Sequence, residues 1–543
     1  PSEPDTIEEN SELTYAIDLV MLKLNNVDIS YNDFSVGMIA DINGLNMAAK
    51  GKLKDELIAG NMNLSMNEIV YQQESDSMSM AVKLNNLKAE GVAEMLGDDV
   101  KADIKASSSV LFYESDGQIA EYNALSFKYK GLVNDFDNVS GNVEFAVDDL
   151  SFAMDGETLL KEADIRFISP LNATLSTMNV EFGKSQLALN DIIVDFVGDA
   201  AMPDDNIVVD LSVKTNTLII EKLIELIPAS MREELLAGID VKGELQFSAD
   251  LKGVYNENSM PEVVAEIFYD KGMLAMPEML PYPITNLKTS IKAELDLNDK
   301  SDIYINSFKA NMSNSSLDFS GTIKDVMNKM YCDINLKANA DLGELQSFMP
   351  EGIVATGKVK LDVNANVNNQ QLTTMDFMNA KVNGNMQWEN MNVVYYDTIN
   401  INADKLNIDL ILPNAASEDL TNSLAAVEIS GANFDAKVSD MIVANLKDYK
   451  IDAQISNILD EKEPMSVFAD YSFARIDAAM DDMNFFTNNP KGTLAMFMKE
   501  NNDASYIAVY YSDSLAFGMG EEMSFMTEKM DFNVSADYVD DQE

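Results

Sequence analysis

Acidic pairs are the residues whose spacing comes nearest to chemistry in this chain: Asp148/Asp149, Asp204/Asp205 and Asp481/Asp482. Paired carboxylates can hold Ca²⁺ or divide general acid and base work. None of the three stands in the D-x-[DN]-x-[DN]-G spacing of a calcium loop, and no partner base accompanies them. The chain contains no histidine, which removes Ser-His-Asp and Cys-His nucleophilic catalysis and His-ligated zinc. Cys332 is the single cysteine, so neither an intramolecular disulfide nor a cysteine metal cluster can form, and its strand setting (YCDINLKA) reads as an inert thiol. No P-loop, G-x-S-x-G or dinucleotide fingerprint occurs. The expectation is surface turns at the acidic pairs, with no catalytic residue, no metal and no cofactor.

Charge narrows the partners. The 543 residues carry 38 basic against 91 acidic side chains, a formal charge of −53, and the only arginines are Arg166, Arg232 and Arg475. Phosphate binding needs clustered Lys and Arg, so the expectation is no nucleic-acid partner, and adsorption to an anionic membrane surface is disfavoured. At 46% hydrophobic and 24% charged residues, the chain has the composition of a folded protein.

The elements that must position any site are strands. In GKVKLDVNANV, Val359, Leu361, Val363, Ala365 and Val367 alternate with Lys358, Lys360, Asp362, Asn364 and Asn366. Leu245, Phe247, Ala249 and Leu251 alternate in the same way, as do Ile291, Ala293, Leu295 and Leu297, and Leu406, Ile408, Leu410 and Leu412. One apolar and one wet face is the signature of an antiparallel sheet. Asp155-Gly156, Asn43-Gly44, Asn383-Gly384 and Asn298-Asp299-Lys300 are expected as turns.

Two internal themes recur. VDLSVKTNTLIIEKLIELIP (209–228) with AGIDVKGELQFSADLKG (237–253) resembles CDINLKANADLGELQSFMP (332–350) with EGIVATGKVKLDVNANV (351–367). Each predicts strand, short helix stopped near Pro228 or Pro350, then strand, a unit suited to building a sheet by addition. A looser theme sets two polar residues between alternating segments: LKLNNVDISYND (22–33), VKLNNLKAEGV (82–92), FAVDDLSFAMDGETLL (145–160), SQLALNDIIVDFVG (185–198) and MQWENMNVVYYDT (386–398). These are expected as successive β-ribbons.

Helices are few: one over about Thr217 to Leu236 broken at Pro228, a shorter one over about Leu342 to Phe348, and an ambiguous stretch from Asn484 to Met498. So many one-face-apolar strands need a cover, which is either the sheet folded shut as a sandwich or a bound apolar ligand. The 34 methionines suit either, since Met fills irregular cores and also accepts varied apolar ligands. Pro277 to Leu287, dense in proline, reads as an edge or crossover beside Met273, Met276 and Met279. Trp388, followed by Tyr395 and Tyr396, is placed either in a packed core or at an interface.

The stretch from about 150 to 412 resembles the AsmA family of Gram-negative envelope proteins. The KTNTL…LIELIP helix entry, the G-x-L-x-F-x-A-x-L-x-G strand of GELQFSADLKG, the PEMLPYPITNL segment, SLDFSGTI and DINLKANADLGELQSFMP carry that resemblance. It implies a body in the periplasm, tethered to the inner membrane by one N-terminal helix. It also implies a long β-groove with an apolar interior, and a part in phospholipid passage or outer-membrane integrity. The opening PSEPDTIEENSE, without an initiator methionine, reads as a linker with the anchor expected upstream of residue 1. No run approaches the ~20 apolar residues of a spanning helix.

The fold expected is mainly β: an elongated, curled antiparallel sheet, groove-like, with one or two short capping helices. The divisions expected are a linker (1–12), an N-terminal β segment (13–200), an AsmA-like central region (201–412) and a C-terminal β segment (413–543). Leu245, Phe247, Leu251, Ile291, Leu295, Val359, Leu361, Val363, Leu406, Ile408 and Leu410 are the candidate lipid-groove lining, with Met276, Met279 and Tyr282 at its mouth. The expected ligand is phospholipid or another acyl lipid. The alternative is a closed β-scaffold that binds other envelope proteins along a sheet edge.

Overall fold

The computed structural model describes residues 16–75, 78–204, 206–296, 300–374, 380–412, 424–439, 441–456, 464–499, 503–520 and 523–538. It is 78% strand and 4% helix, one antiparallel sheet of 31 strands among the described residues, not closed into a barrel. Two units divide it: 1–237 with 244–266 and 296–298, and 238–243 with 267–295 and 299–543.

In the first unit the strands are β1 (Ala16–Asp33), β2 (Met38–Lys54), β3 (Leu57–Ser75), β4 (Met78–Leu96), β5 (Asp99–Ser115), β6 (Gln118–Asn134), β7 (Asn138–Met154), β8 (Glu157–Thr174), β9 (Asn179–Leu189), β10 (Ile192–Ala201), β11 (Ile207–Thr215) and β12 (Leu218–Ile219). Helices α1 (Ile220–Glu225) and α2 (Ala229–Leu235) lead into β13 (Asp240–Tyr255). From β1 to β11 each strand pairs antiparallel with the next, and β13 returns beside β11.

The second unit holds β15 (Ile284–Leu295), β16 (Asp302–Met312), β17 (Ser315–Lys324), β18 (Tyr331–Asp341), β19 (Ile353–Asn368), β20 (Lys381–Tyr395), β21 (Ile399–Leu412), β22 (Leu424–Val438) and β23 (Ile442–Ser456). β13 and β14 (Glu262–Ala275) each have residues in both units, and α3 (Asn369–Thr374) follows β19. The remaining strands are β24 (Ser466–Ser472), β25 (Arg475–Met480), β26 (Met483–Asn488), β27 (Lys491–Met498), β28 (Ala504–Ser512), β29 (Ser514–Met519), β30 (Met523–Thr527) and β31 (Met530–Tyr538). The last eight are four long strands, each interrupted near its middle. β23 pairs with β24 along one half and β25 along the other, and the same division repeats to β31 and β30. Pro490, with no N–H to give, sits at one interruption, and hydrogen bonds such as Phe473 N to Pro490 O (2.9 Å) carry the sheet through it. The ambiguous stretch from Asn484 to Met498 is therefore two strand halves.

The polar pairs expected between successive ribbons have a different role in four of five cases. Asn25-Asn26, Asn85-Asn86, Asp148-Asp149 and Glu389-Asn390 lie inside β1, β4, β7 and β20, and only Asn190-Asp191 is a hairpin turn. The second residue of each internal pair has positive φ: +51° at Asn26, +52° at Asn86, +54° at Asp149 and +52° at Asn390. The apolar alternation changes parity at each, from Leu22 and Leu24 to Val27 and Ile29, and from Met386 and Trp388 to Met391 and Val393. A regular strand would throw the second half of that set to the opposite face, and one extra bulged residue keeps it on the same face. Asn and Asp tolerate the left-handed backbone, and side-chain oxygens serve the displaced amides. Asn26 N–H donates to Asn46 Oδ1 (3.0 Å), Asp149 N–H to Asp164 Oδ1 (3.1 Å) and Asp164 N–H to Asn190 Oδ1 (2.7 Å).

Two expected turns are likewise strand interior. Gly44 lies in β2 at φ +67°, its N–H donating to Asp28 Oδ1 (2.7 Å). Gly384 lies in β20, opposite Val363 and Leu410, where the unbroken Val382–Gly384–Met386 alternation leaves nothing to turn the chain. Asp155-Gly156 is a hairpin turn as expected, and Asn298-Asp299 lie outside the described residues. The helix over 217–236 is present in two pieces, with Pro228 as the N-cap of α2. The helix over 342–348 is reduced to a 3₁₀ turn at Gln346–Phe348. Asp341 accepts the Gly343 N–H (3.1 Å) to start a turn there, and the residues left before Pro350 are too few to nucleate an α-helix.

Both long-range modules keep the expected plan: β11, the α1–α2 pair and β13 in one, β18, the 3₁₀ turn and β19 in the other, with flanking strands paired antiparallel.

The bulge account fixes the effect of changes at Asn390. Asn390→Gly should leave stability within about 1 kcal/mol, and Asn390→Val should cost roughly 1–2 kcal/mol for a β-branched residue at positive φ. Inserting one further residue after Asn390 should be far worse than either, because it reverses the faces of Met391, Val393 and Tyr395. Urea unfolding midpoints of the three variants check the order.

Candidate functional site

The alternating pattern becomes a surface through register. In the first unit Leu24, Met47, Leu64, Ala89, Ala106, Phe127, Phe145, Phe167, Leu187 and Val194 oppose one another in succession from β1 to β10. A second unbroken row runs Ile17, Leu53, Ile58, Met95, Val100, Val133, Val139, Ala173, Val180, Ala200 and Val209. Between them lies a row dominated by small residues, which includes Gly51, Gly60, Ala93, Ala102, Gly131 and Gly141. Directly opposed apolar pairs stabilise adjacent strands by ~0.2–1 kcal/mol each.

The opposite face is wet. Several of its cations pair with cross-strand carboxylates: Lys83–Glu68 (2.8 Å), Lys105–Glu90 (3.1 Å), Lys128–Glu144 (2.7 Å) and Lys252–Asp210 (2.8 Å). Hydrogen bonding to Lys83, then to Asn43, holds the Glu68 carboxyl below its ordinary range, and the Glu90 carboxylate raises the Lys105 ammonium. These pairs are exposed and screened, so they set the character of the face more than its stability.

In the second unit the candidate lining residues form three adjacent rows. Val359 faces Trp388, which faces Leu406. Leu361 leads through Met386, Ile408 and Ile429 to Ile451. Val363 leads through Gly384, Leu410 and Val427 to Ala453. Ile291 begins another row through Ile305, Gly321, Ile334, Ala365 and Val382 to Leu412. Leu295 extends the Ile291 side of β15. Leu245, Phe247 and Leu251 belong to the first unit, with Leu245 opposite Leu218 and Leu251 opposite Leu211. Leu297 lies outside the described residues.

Side-chain burial speaks against a second layer over this face within either unit among the described residues. Close backbone approaches between elements join hydrogen-bonded strands, apart from α1 on β12 and α3 on β19. The largest side chains that are fully enclosed are Thr487, Pro490, Ser169, Ser301 and Ser512. A closed sandwich would enclose Leu, Ile and Phe, and here they are at best nearly buried, as in the cluster of Met391, Ala403, Leu406 and Tyr449. In the first unit the face also contains an open hollow of about 650 Å³, lined by Ile17, Leu53, Ile58, Met62, Met95 and Ile104 across β1 to β5.

Rings lie over glycines on this sheet. The Trp388 indole N–H donates to Thr356 O (3.0 Å) and the ring covers Gly357, so the tryptophan sits inside the sheet, not at its edge. Tyr129 lies against Gly131 and Gly141, and Tyr449 against Gly431. An aromatic ring over a cross-strand glycine restores the contact that the missing Cβ would have made.

The remaining candidates stay apart from the rows. Met276, Met279 and Tyr282 occupy the turn between β14 and β15, where Met276 O accepts from Met279 N (2.9 Å) and Leu280 N (2.8 Å). Met279 is 70% exposed. Asp148 pairs with Arg166 (3.0 Å), Asp149 accepts from Asn123 (2.8 Å), and Asp481-Asp482 make the β25–β26 turn. Asp204 is in a turn, and Asp205 lies outside the described residues. No three metal-ligating side chains converge among the described residues. Cys332 is buried against Val367 and Ala380, and burial pushes its thiol pKa up.

The sequence reading named no lining residue between 13 and 200, where the longest rows are. Their signal was the parity change at Asn-Asn and Asp-Asp, visible only when those pairs are taken as bulges.

No family model matches the chain, and no curated protein matches it.

An uncovered apolar face should take up a neutral apolar dye such as Nile red in the native state, with enhanced emission and unchanged far-UV circular dichroism. A closed core would leave the dye dark until unfolding began.

Proposed function

We propose that this chain is a passive lipid-binding protein of the AsmA-like kind, which shields acyl chains on its apolar face while they pass between envelope membranes or serve outer-membrane assembly. The observation that carries the reading is the apolar row that continues from strand to strand, with no large apolar side chain fully enclosed among the described residues. Transfer out of a bilayer asks for much: at ~0.8 kcal/mol per methylene, a 16-carbon chain needs on the order of 12 kcal/mol of replacement contacts. Only a long continuous apolar surface offers so many. No reacting group is required, and the acidic surplus, −53 overall, keeps such a body dispersed.

The resemblance of 150–412 to AsmA-like proteins supports a periplasmic setting, with an inner-membrane tether preceding residue 1 and phospholipid as cargo. Envelope proteins would be the partners of the alternative, a closed β-scaffold, and the side-chain burial gives that alternative no support.

Native mass spectrometry with organic extraction tests the proposal. The expected result is phospholipid near stoichiometric amounts with the purified protein, largely lost in Leu361→Asp/Val363→Asp although the strand content is retained. Protein free of lipid, which also refuses added phospholipid, would refute it.

A further inference from the structure

We infer that the hollow across β1 to β5 seats one acyl chain of a lipid whose headgroup ends in an ammonium. This rests on the lipid-binding reading and adds a place and a ligand class to it. Ile17, Leu53, Ile58, Met95 and Val100 form one wall, directly opposed in register, with Met62, Gly91 and Ile104 on the other side of the small-residue row. Across the five strands this wall extends about 19 Å, four interstrand spacings, against roughly 15 Å of hydrocarbon in one leaflet. The wall therefore covers one acyl chain laid across the strands along its whole length, which leaves the headgroup at the margin of the hollow.

Charge decides which polar end. Leu53 and Ile58 flank the β2–β3 turn, which carries Asp55 and Glu56, and Met95 and Val100 flank the β4–β5 turn, which carries Asp98. None of these three carboxylates makes an ion pair among the described residues. Lys50, Lys52 and Glu90 also border the hollow, but their side chains alternate onto the opposite face, as do those of Lys54, Asp99 and Lys101; Asp99 there accepts one backbone N–H, from Asp135 (3.3 Å). A headgroup emerging from the hollow thus meets three carboxylates on two adjacent turns. An ammonium gains there, and an anionic glycerol or free phosphate headgroup is repelled within a Debye length of ~8 Å at physiological salt.

The test uses the full chain with monomeric lysophosphatidylethanolamine and lysophosphatidylglycerol of the same acyl length, followed by equilibrium dialysis at 50 and 500 mM NaCl. The expected preference for the ethanolamine lipid is roughly fivefold at low salt, near the upper end for exposed charge pairs. It should vanish at high salt and in Asp55→Asn/Glu56→Gln/Asp98→Asn, with acyl binding retained. Gly91→Phe fills the hollow from a position where a Cβ meets only Ile104 at 3.9 Å and Asp103 O at 4.0 Å, so the strand tolerates it. It should remove one equivalent of bound lipid with unchanged circular dichroism. Equal binding of the two lipids, or a preference that survives the threefold neutralisation, would overturn the headgroup inference and leave lipid binding standing. Full stoichiometry in Gly91→Phe would overturn the seat. Binding of neither lipid would overturn this inference together with the reading it rests on.

Discussion

Everything in this protein depends on keeping one face of a very long antiparallel ladder apolar. Side chains alternate with period two, so an error of one residue in any strand moves its whole apolar set to the wet face. Strands of 17 to 19 residues, such as β2 to β7, are much longer than the five or six residues usual in globular proteins. Over that length a twisted ladder must be relieved somewhere. The bulges at Asn26, Asn86, Asp149 and Asn390 give the relief, and the sequence changes parity at the same places. Asn and Asp stand there because they accept positive φ and because neighbouring Asn and Asp oxygens take the amides that leave the ladder.

A single layer gains little from enclosure, and the burial reflects this, with no large apolar side chain fully enclosed among the described residues. Cohesion comes instead from repetition. Each strand adds a full set of backbone hydrogen bonds, a rank of directly opposed apolar pairs and, on the other face, scattered Lys–carboxylate pairs. Aromatic rings such as Trp388 and Tyr449 patch the glycines where the apolar surface would otherwise thin. The same construction leaves that surface open to a ligand, so the architecture that limits stability is also the one that offers a function.

Much of this was legible in the residues. The alternation of Val359, Leu361 and Val363 against Lys358, Lys360 and Asp362 gave strand and face, because half-buried antiparallel strands are written with that period. Pro228 marked the helix break, and Asp155-Gly156 a hairpin. Local signals failed where they were ambiguous. Asn43-Gly44 and Asn383-Gly384 have hairpin chemistry but stand inside strands, because the apolar pattern on both sides continues or shifts by one residue. Met276, Met279 and Tyr282 stand in a proline-dense segment read as an edge or crossover, and they occupy the turn between β14 and β15. Whether the apolar face is closed by another layer depends on contacts between distant strands, to which period-two alternation is blind.

The central claim is that the apolar face meets lipid and the opposite face meets water. Nitroxide labels at Leu361→Cys and Lys360→Cys, neighbours on opposite faces of β19, report this directly, since the buried Cys332 thiol stays unlabelled in the native protein. On addition of phospholipid, the label at 361 should shift to an apolar, oxygen-accessible and nickel-protected environment, with the label at 360 remaining aqueous. Labels that both stay aqueous, or that change alike, would contradict the account.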